Sequence, residues 1–209
     1  MDLIFLRHGS SDQNALAAIN ELIENTGGTL RIAVAYFTHL GIAKALTKRA
    51  DQGKSTLMLV NSSDLVRPVE GHLEYEVSQA ILDVVNYDFG NRSEVRTLGL
   101  PQPDYHNMHH KFAVGDDRVL FGSANWTKAA LRENYEYLAV STEPHVIDQF
   151  EGEFAFLRSR SHSLRGGGAD IRVIVCPHCK HSEFVDFESW GAMCTGCGTE
   201  FRPREAKIQ

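Results

Sequence analysis

Cysteine is missing from the first 175 residues; all four cysteines fall at Cys176, Cys179, Cys194 and Cys197. That excludes a disulfide framework for the bulk of the chain. No apolar run approaches the roughly 18 residues that a membrane-spanning helix needs, so membrane insertion is not expected. Positive charge is also short: 21 Lys and Arg stand against 27 Asp and Glu, a formal net charge of −6. A protein that coats DNA without regard to sequence shows a broadly basic surface. This chain must instead concentrate any phosphate-binding charge locally. The opening apolar run Leu3-Ile4-Phe5-Leu6 has neither a basic stretch before it nor a small-residue cleavage site. It reads as a strand and not as a secretion signal, which makes the cytoplasm the expected compartment.

At 209 residues the length allows one domain and a small appendage. Leu16, Ile19, Leu22 and Ile23 recur with a helical period between Ser11 and Asn25, and Thr26-Gly27-Gly28 stops that helix. The pattern then predicts a buried strand at 30–37, a helix near 40–52, a strand at 55–60 and a helix at 73–86. It continues with a strand at 134–141 and an amphipathic helix at 145–160 carrying Ile147, Phe150, Phe154 and Leu157. Strands alternating with helices imply an α/β layered sheet.

The most informative stretch is Met108-His109-His110-Lys111-Phe112-Ala113-Val114-Gly115-Asp116, followed by Gly122-Ser123-Ala124-Asn125. Lys111–Val114 and Arg118–Phe121 flank Gly115-Asp116-Asp117, which is a hairpin signature. Residues two apart on a strand share a face, so His109 aligns with Lys111, and Ser123 with Asn125. An antiparallel return sets the pairs side by side. An imidazole can attack phosphorus when its other nitrogen is held by an acceptor. The cation and the two neutral hydrogen-bonding groups would stabilise the charge that builds on the non-bridging oxygens. His110 points to the other face, beside Phe112 and Val114.

This segment resembles the HxKxxxxD motif of the phospholipase D superfamily with its trailing GSxN. His109, Lys111 and Asp116 match the first, Gly122 to Asn125 the second, and Asn134-Tyr135-Glu136 the NxE that often follows, where the acidic residue supports the catalytic histidine. Five residues separate Asp116 from Gly122 where six are usual. The family's Asp is more often structural than chemical. The resemblance covers roughly residues 1–160. It implies a phospholipase D-like α-β-α sandwich with a mixed sheet, and a catalytic set of His109, Lys111, Asp116, Ser123, Asn125 and Glu136. One motif per chain implies a homodimer in which two copies of His109 face each other, one forming a phosphohistidine and the other protonating the leaving oxygen, with no catalytic metal.

Composition breaks at 161–170, where Gly166-Gly167-Gly168 reads as a flexible linker. The divisions expected are a phosphodiesterase domain at 1–161, a linker at 162–169 and an appendage at 170–209. In the appendage, Cys176-Pro177-His178-Cys179 and Cys194-Thr195-Gly196-Cys197 are two CxxC knuckles. Each offers two sulfurs from one tight loop, and four suit tetrahedral Zn²⁺. The pattern resembles a zinc ribbon whose closed Cys176, Cys179, Cys194 and Cys197 site is structural and whose purpose is docking to nucleic acid or protein.

A second motif, Leu6-Arg7-His8-Gly9, looks like the RHG box of histidine phosphatases, but the later Arg and His that such enzymes need have no match here, and a strand-to-helix turn accounts for it equally well. The expectation from all of this is a nuclease hydrolysing DNA or RNA. The alternatives are a phospholipid phosphodiesterase or transphosphatidylase, and a catalytically silent nucleic-acid docking module. A basic amphipathic membrane helix, which the lipid enzyme would favour, is not evident.

Overall fold

A computed structural model describes residues 1–9, 13–61, 93–100, 106–163, 171–180, 182–186, 192–194, 196–202 and 207–208. The helix expected at 73–86 lies outside them.

A mixed sheet organises the first 163 residues. Its strands are β1 (Asp2–Leu6), β2 (Leu30–Val34), β3 (Thr56–Asn61), β4 (Glu94–Leu100), β5 (His106–Asn107), β6 (Lys111–Val114), β7 (Val119–Gly122), β8 (Glu136–Ser141) and β9 (His162–Ser163). They lie in the order β1-β8-β7-β6-β2-β3-β4-β5, and β9 also pairs with β4. β2, β3 and β4 are parallel; the other pairings are antiparallel. Composition assigns His162 and Ser163 to the linker. The structure corrects this: they pair with Thr97 and Arg96 and belong to the sheet.

Helices cover both faces. α1 (Gln13–Asn25) buries Ala15, Ile19, Leu22 and Ile23, and α2 (Leu40–Asp51) buries Ile42, Ala43, Leu46 and Arg49. That three-and-four spacing puts each set on one stripe. With the short α3 (Lys128–Arg132) they pack on Ile32, Val34, Met58, Val60, Leu120 and Leu138. On the other face α4 (Pro144–Ser159) sets Phe154 and Leu157 against Ala33, Leu59, Phe112, Val114 and Val119. β2 feeds both cores, which is why Ile32-Ala33-Val34 reads as a continuous apolar run and not as an alternation. The architecture is therefore the α-β-α sandwich expected. Among the described residues no helix is long and apolar enough to cross a membrane.

In the appendage β10 (Ile171–Val175) pairs with β11 (Ser182–Asp186) and β14 (Lys207–Ile208), and β12 (Ala192–Met193) pairs with β13 (Glu200–Phe201). The knuckles precede β11 and separate β12 from β13.

Candidate active site

One end of the sheet collects the polar residues. Leu6 is paired with Glu136, Gly122 with Leu138, Phe121 with Phe112, and Lys111 with Val34. The end of β1, the start of β8, the end of β7, the start of β6 and the end of β2 are thus level. This is also the carboxyl end of the parallel strands, where open α/β sheets place their ligands.

Lys111 opens β6 and is buried. Its Nζ donates to the His109 carbonyl at 2.7 Å, and so ties down the backbone of the histidine, whose side chain is exposed. Burial pushes the Lys111 ammonium below its ordinary range, and the Glu136 carboxylate pulls it partly back up. Glu136 opens β8. Its carboxylate accepts from the Ser123 hydroxyl and from Asn134 Nδ2 at 3.4 Å. The Ser123 oxygen in turn accepts from the Tyr137 amide at 3.1 Å. Ser123, Asn134 and Glu136 thus form one hydrogen-bonded group, and Lys111, bonded to the His109 backbone, feels the Glu136 charge.

Gly122 explains the first letter of the GSxN sequence. A Cβ there would lie 2.1 Å from the Tyr137 carbonyl oxygen and 3.0 Å from Leu138 Cα. β8 passes too close for any side chain, and that closeness is what delivers Glu136 to Ser123.

Two expectations are altered. β7 ends at Gly122, so strand alternation does not govern Ser123 and Asn125. Asn125 Oδ1 instead accepts from the Tyr36 amide at 3.3 Å. It is one of several bonds that dock this loop on the chain after β2: Trp126 N donates to Tyr36 O, and Thr38 N and His39 N donate to Trp126 O. Asn125 thus helps to hold this loop to the chain after β2 through its side-chain carbonyl oxygen. The second correction concerns Asp116, which is not gathered with the others. It sits past the far end of β6, where its carboxylate accepts from Gly27 N at 2.7 Å and Gly28 N at 3.0 Å. It also faces the buried Arg49 guanidinium electrostatically. Asp117 pairs with Arg118, at 3.0 Å, so of the two acids it is Asp116 that ties the β6–β7 turn to Gly27 and Gly28.

His110 lies on the opposite face, as alternation requires. Its ring meets Phe112 edge-on at 5.8 Å, and Nε2 is 3.1 Å from Glu153 Oε1. Sequence reasoning overlooked Arg49, which donates to the carbonyls of Ile23, Thr26, Gly28 and Ser55. Those acceptors are distant in sequence and leave no local pattern; the one hint was a charge on the apolar stripe of α2.

Residues 19–158 match the family described as cardiolipin synthase, PLD-like domain. The chain belongs to the phospholipase D-like family. The match includes every candidate residue of this sheet end from Lys111 to Glu136. NucT from Helicobacter pylori superposes on 78% of this chain and 98% of its own, with a TM-score of 0.63 and 23% identity. Nuc, a phospholipase D family member from Salmonella typhimurium, superposes on 79% of this chain and 97% of its own, with a TM-score of 0.61 and 22% identity. At such identity the likeness is one of fold. The mitochondrial cardiolipin hydrolase of Danio rerio is 45% identical over 49 residues, 23% of this chain and 22% of that protein. The phospholipase D-like chain thus matches about a fifth of the length of its curated relative.

The four cysteine thiols of this protein lie within 4.8 Å of one another. The knuckles repeat one turn: Lys180 N donates to Cys176 O and Gly198 N to Cys194 O, with φ of 64° at Lys180 and 69° at Gly198. Burial pushes the Cys194 thiol up, whereas Thr199 hydrogen bonding draws Cys197 down to about 7. Four soft donors from two paired turns fit a tetrahedral metal ion.

Proposed function

We propose that this protein is a metal-independent phosphodiesterase that cleaves DNA or RNA. The observation that carries the reading is the cluster at the sheet end, where a carboxylate hydrogen-bonded to a hydroxyl acts electrostatically on a buried ammonium that is itself bonded to the backbone carbonyl of an exposed histidine. His109 attacks phosphorus and forms a phosphohistidine as the P–O bond to the leaving group breaks. Lys111, with Ser123 and Asn125 at the loop, offsets the charge on the non-bridging oxygens. Glu136 holds Ser123 and keeps Lys111 charged. A single imidazole that has become the nucleophile cannot also protonate the leaving oxygen. A second copy of the chain supplies that proton from its own His109 and later activates the water that releases the product. The proposed site is therefore shared across a homodimer.

Cys176, Cys179, Cys194 and Cys197 are the proposed ligands of a structural Zn²⁺. Held closed by four thiolates, the ribbon serves docking, with nucleic acid the preferred partner. This appendage is the feature that favours nucleic acid over lipid, with the stretch at 164–169 as a linker between the two units.

A lipid reading is favoured by the name of the curated relatives, mitochondrial cardiolipin hydrolase. One panel decides between them. Purified protein is offered single- and double-stranded DNA, RNA, and cardiolipin vesicles, each with and without EDTA, beside a His109→Ala control. The expected result is cleavage of nucleic acid that survives EDTA, is lost in the variant, and leaves a labelled protein phosphate after denaturing quench. Headgroup release from vesicles with intact nucleic acid would replace this reading with the lipid one. Binding without cleavage or trapped phosphate would leave a docking module.

A further inference from the structure

The Arg7-His8-Gly9 turn lies at the same sheet end as the cluster. β1 runs beside β8 with Leu6 level with Glu136, so the chain leaves β1 at the height of the site. Leu6 is buried on the face that carries α1 and α2, which is also the face of Leu138 and hence of Glu136. His8, two residues on, is exposed. Its Nδ1 lies 3.0 Å from the Glu133 carbonyl oxygen, at the end of α3 and one residue before Asn134. A carbonyl only accepts, so Nδ1 bears the proton. That bond fixes the ring's orientation and leaves Nε2 as its outward atom. Arg7 beside it is already engaged. Gly9, at φ +75°, turns the chain sharply after the histidine and keeps it at the corner of the sheet.

We infer that His8 is a second phosphate contact, taking a phosphate beyond the scissile one on a nucleic acid strand. This rests on the phosphodiesterase reading and deepens it. Three inter-strand steps separate β1 from β6, about 14 Å between backbones, and the Glu133 bond holds the ring at the outer edge. His8 therefore meets the substrate beyond the reacting phosphate. Nδ1–H donates to the Glu133 carbonyl, and Nε2, on taking up a proton in the contact, donates to a phosphate oxygen. Such a contact rewards a substrate with several phosphodiesters in a row and gives a diester with one phosphate nothing, which fits a protein whose net charge of −6 demands that phosphate binding be local.

The test uses the full chain carrying His109→Ala, which binds without cutting, and reads the anisotropy of a labelled multi-phosphate oligonucleotide and of a labelled dinucleotide. His8→Asn keeps an amide where Nδ1 stands and loses Nε2; His8→Gln places its amide where Nε2 stands. His8→Asn is expected to weaken oligonucleotide binding about fivefold more than dinucleotide binding, the size of one exposed charged contact, and His8→Gln to recover most of the loss. Equal losses on both ligands, or recovery by Asn and not by Gln, would make His8 a brace for the Asn134 turn and overturn the proposal. The readout does not depend on cleavage. A differential loss in a protein that hydrolyses nothing upholds the contact and removes the phosphodiesterase reading; cleavage with no differential loss does the reverse.

Discussion

Lys111 carries its charge where burial resists it. Desolvation lowers its pKa, and Glu136 opposes that shift. Glu136→Gln removes the opposing charge and leaves the burial, so the ammonium loses its proton at a lower pH than in the parent protein. The alkaline limb of the kcat/KM profile should move to lower pH, and activity at neutral pH should fall about tenfold or more, as for loss of one preorganised group. A limb that stays in place would mean that Glu136 does not sustain the Lys111 charge. Asp116 tests the opposite kind of residue. Its carboxylate joins the β6–β7 turn to Gly27 and Gly28, remote from the cluster. Asp116→Ala should lower stability by about 1 kcal/mol, the range for an exposed hydrogen-bonded pair, while a phosphohistidine still forms at His109. Urea unfolding and the quench trap measure the two halves of that statement separately.

Strand ends, more than helices, decide whether this site exists. Gly122→Ala would drive a Cβ into the Tyr137 carbonyl at 2.1 Å. β7 and β8 must then part where Ser123 meets Glu136. A loss of about 3 kcal/mol is expected, the upper end for overpacking, and the denaturation midpoint should fall accordingly; an unchanged midpoint would mean the strands separate freely. Local pattern disclosed most of these elements. The helix expected at 40–52 is found at Leu40–Asp51, and the hairpin at 111–121 is found at Lys111–Gly122, because buried stripes and turn residues are written in short windows. The long-range tethers were not legible. The strand expected at 30–37 stops at Val34 because Tyr36 and Phe37 engage the loop at Asn125 and Trp126 instead, a pairing some 90 residues distant. Alternation likewise paired His109 with Lys111 and Ser123 with Asn125, but β6 begins at Lys111 and β7 ends at Gly122, so it governs neither pair. The tether of His8 was illegible for a similar reason: its bond to Glu133 spans 125 residues in sequence and one strand in space.

At the scale of the molecule, the proposed reaction uses two imidazoles, and each chain carries one His109. Each chain brings one His109, one Lys111 and one Glu136 to its sheet end, and an isologous pairing presents the same groups to their own copies across a two-fold axis. That arrangement has a consequence no monomeric site shares. When wild-type and His109→Ala chains are unfolded, mixed in equal amounts and refolded, random pairing leaves about a quarter of the dimers with both histidines and about half with one. In a mixed dimer the surviving imidazole can act as nucleophile or as acid, not as both. Each wild-type chain should therefore retain about half of its activity, falling further as the variant is added in excess, because a mixed dimer lacks the second imidazole that protonates the leaving oxygen. A monomeric site predicts a different titration, in which activity follows the amount of wild-type chain and the variant is inert. A light-scattering mass of the active sample near a single chain's 23.3 kDa, together with that inert titration, would require the second proton donor to come from the chain's own residues.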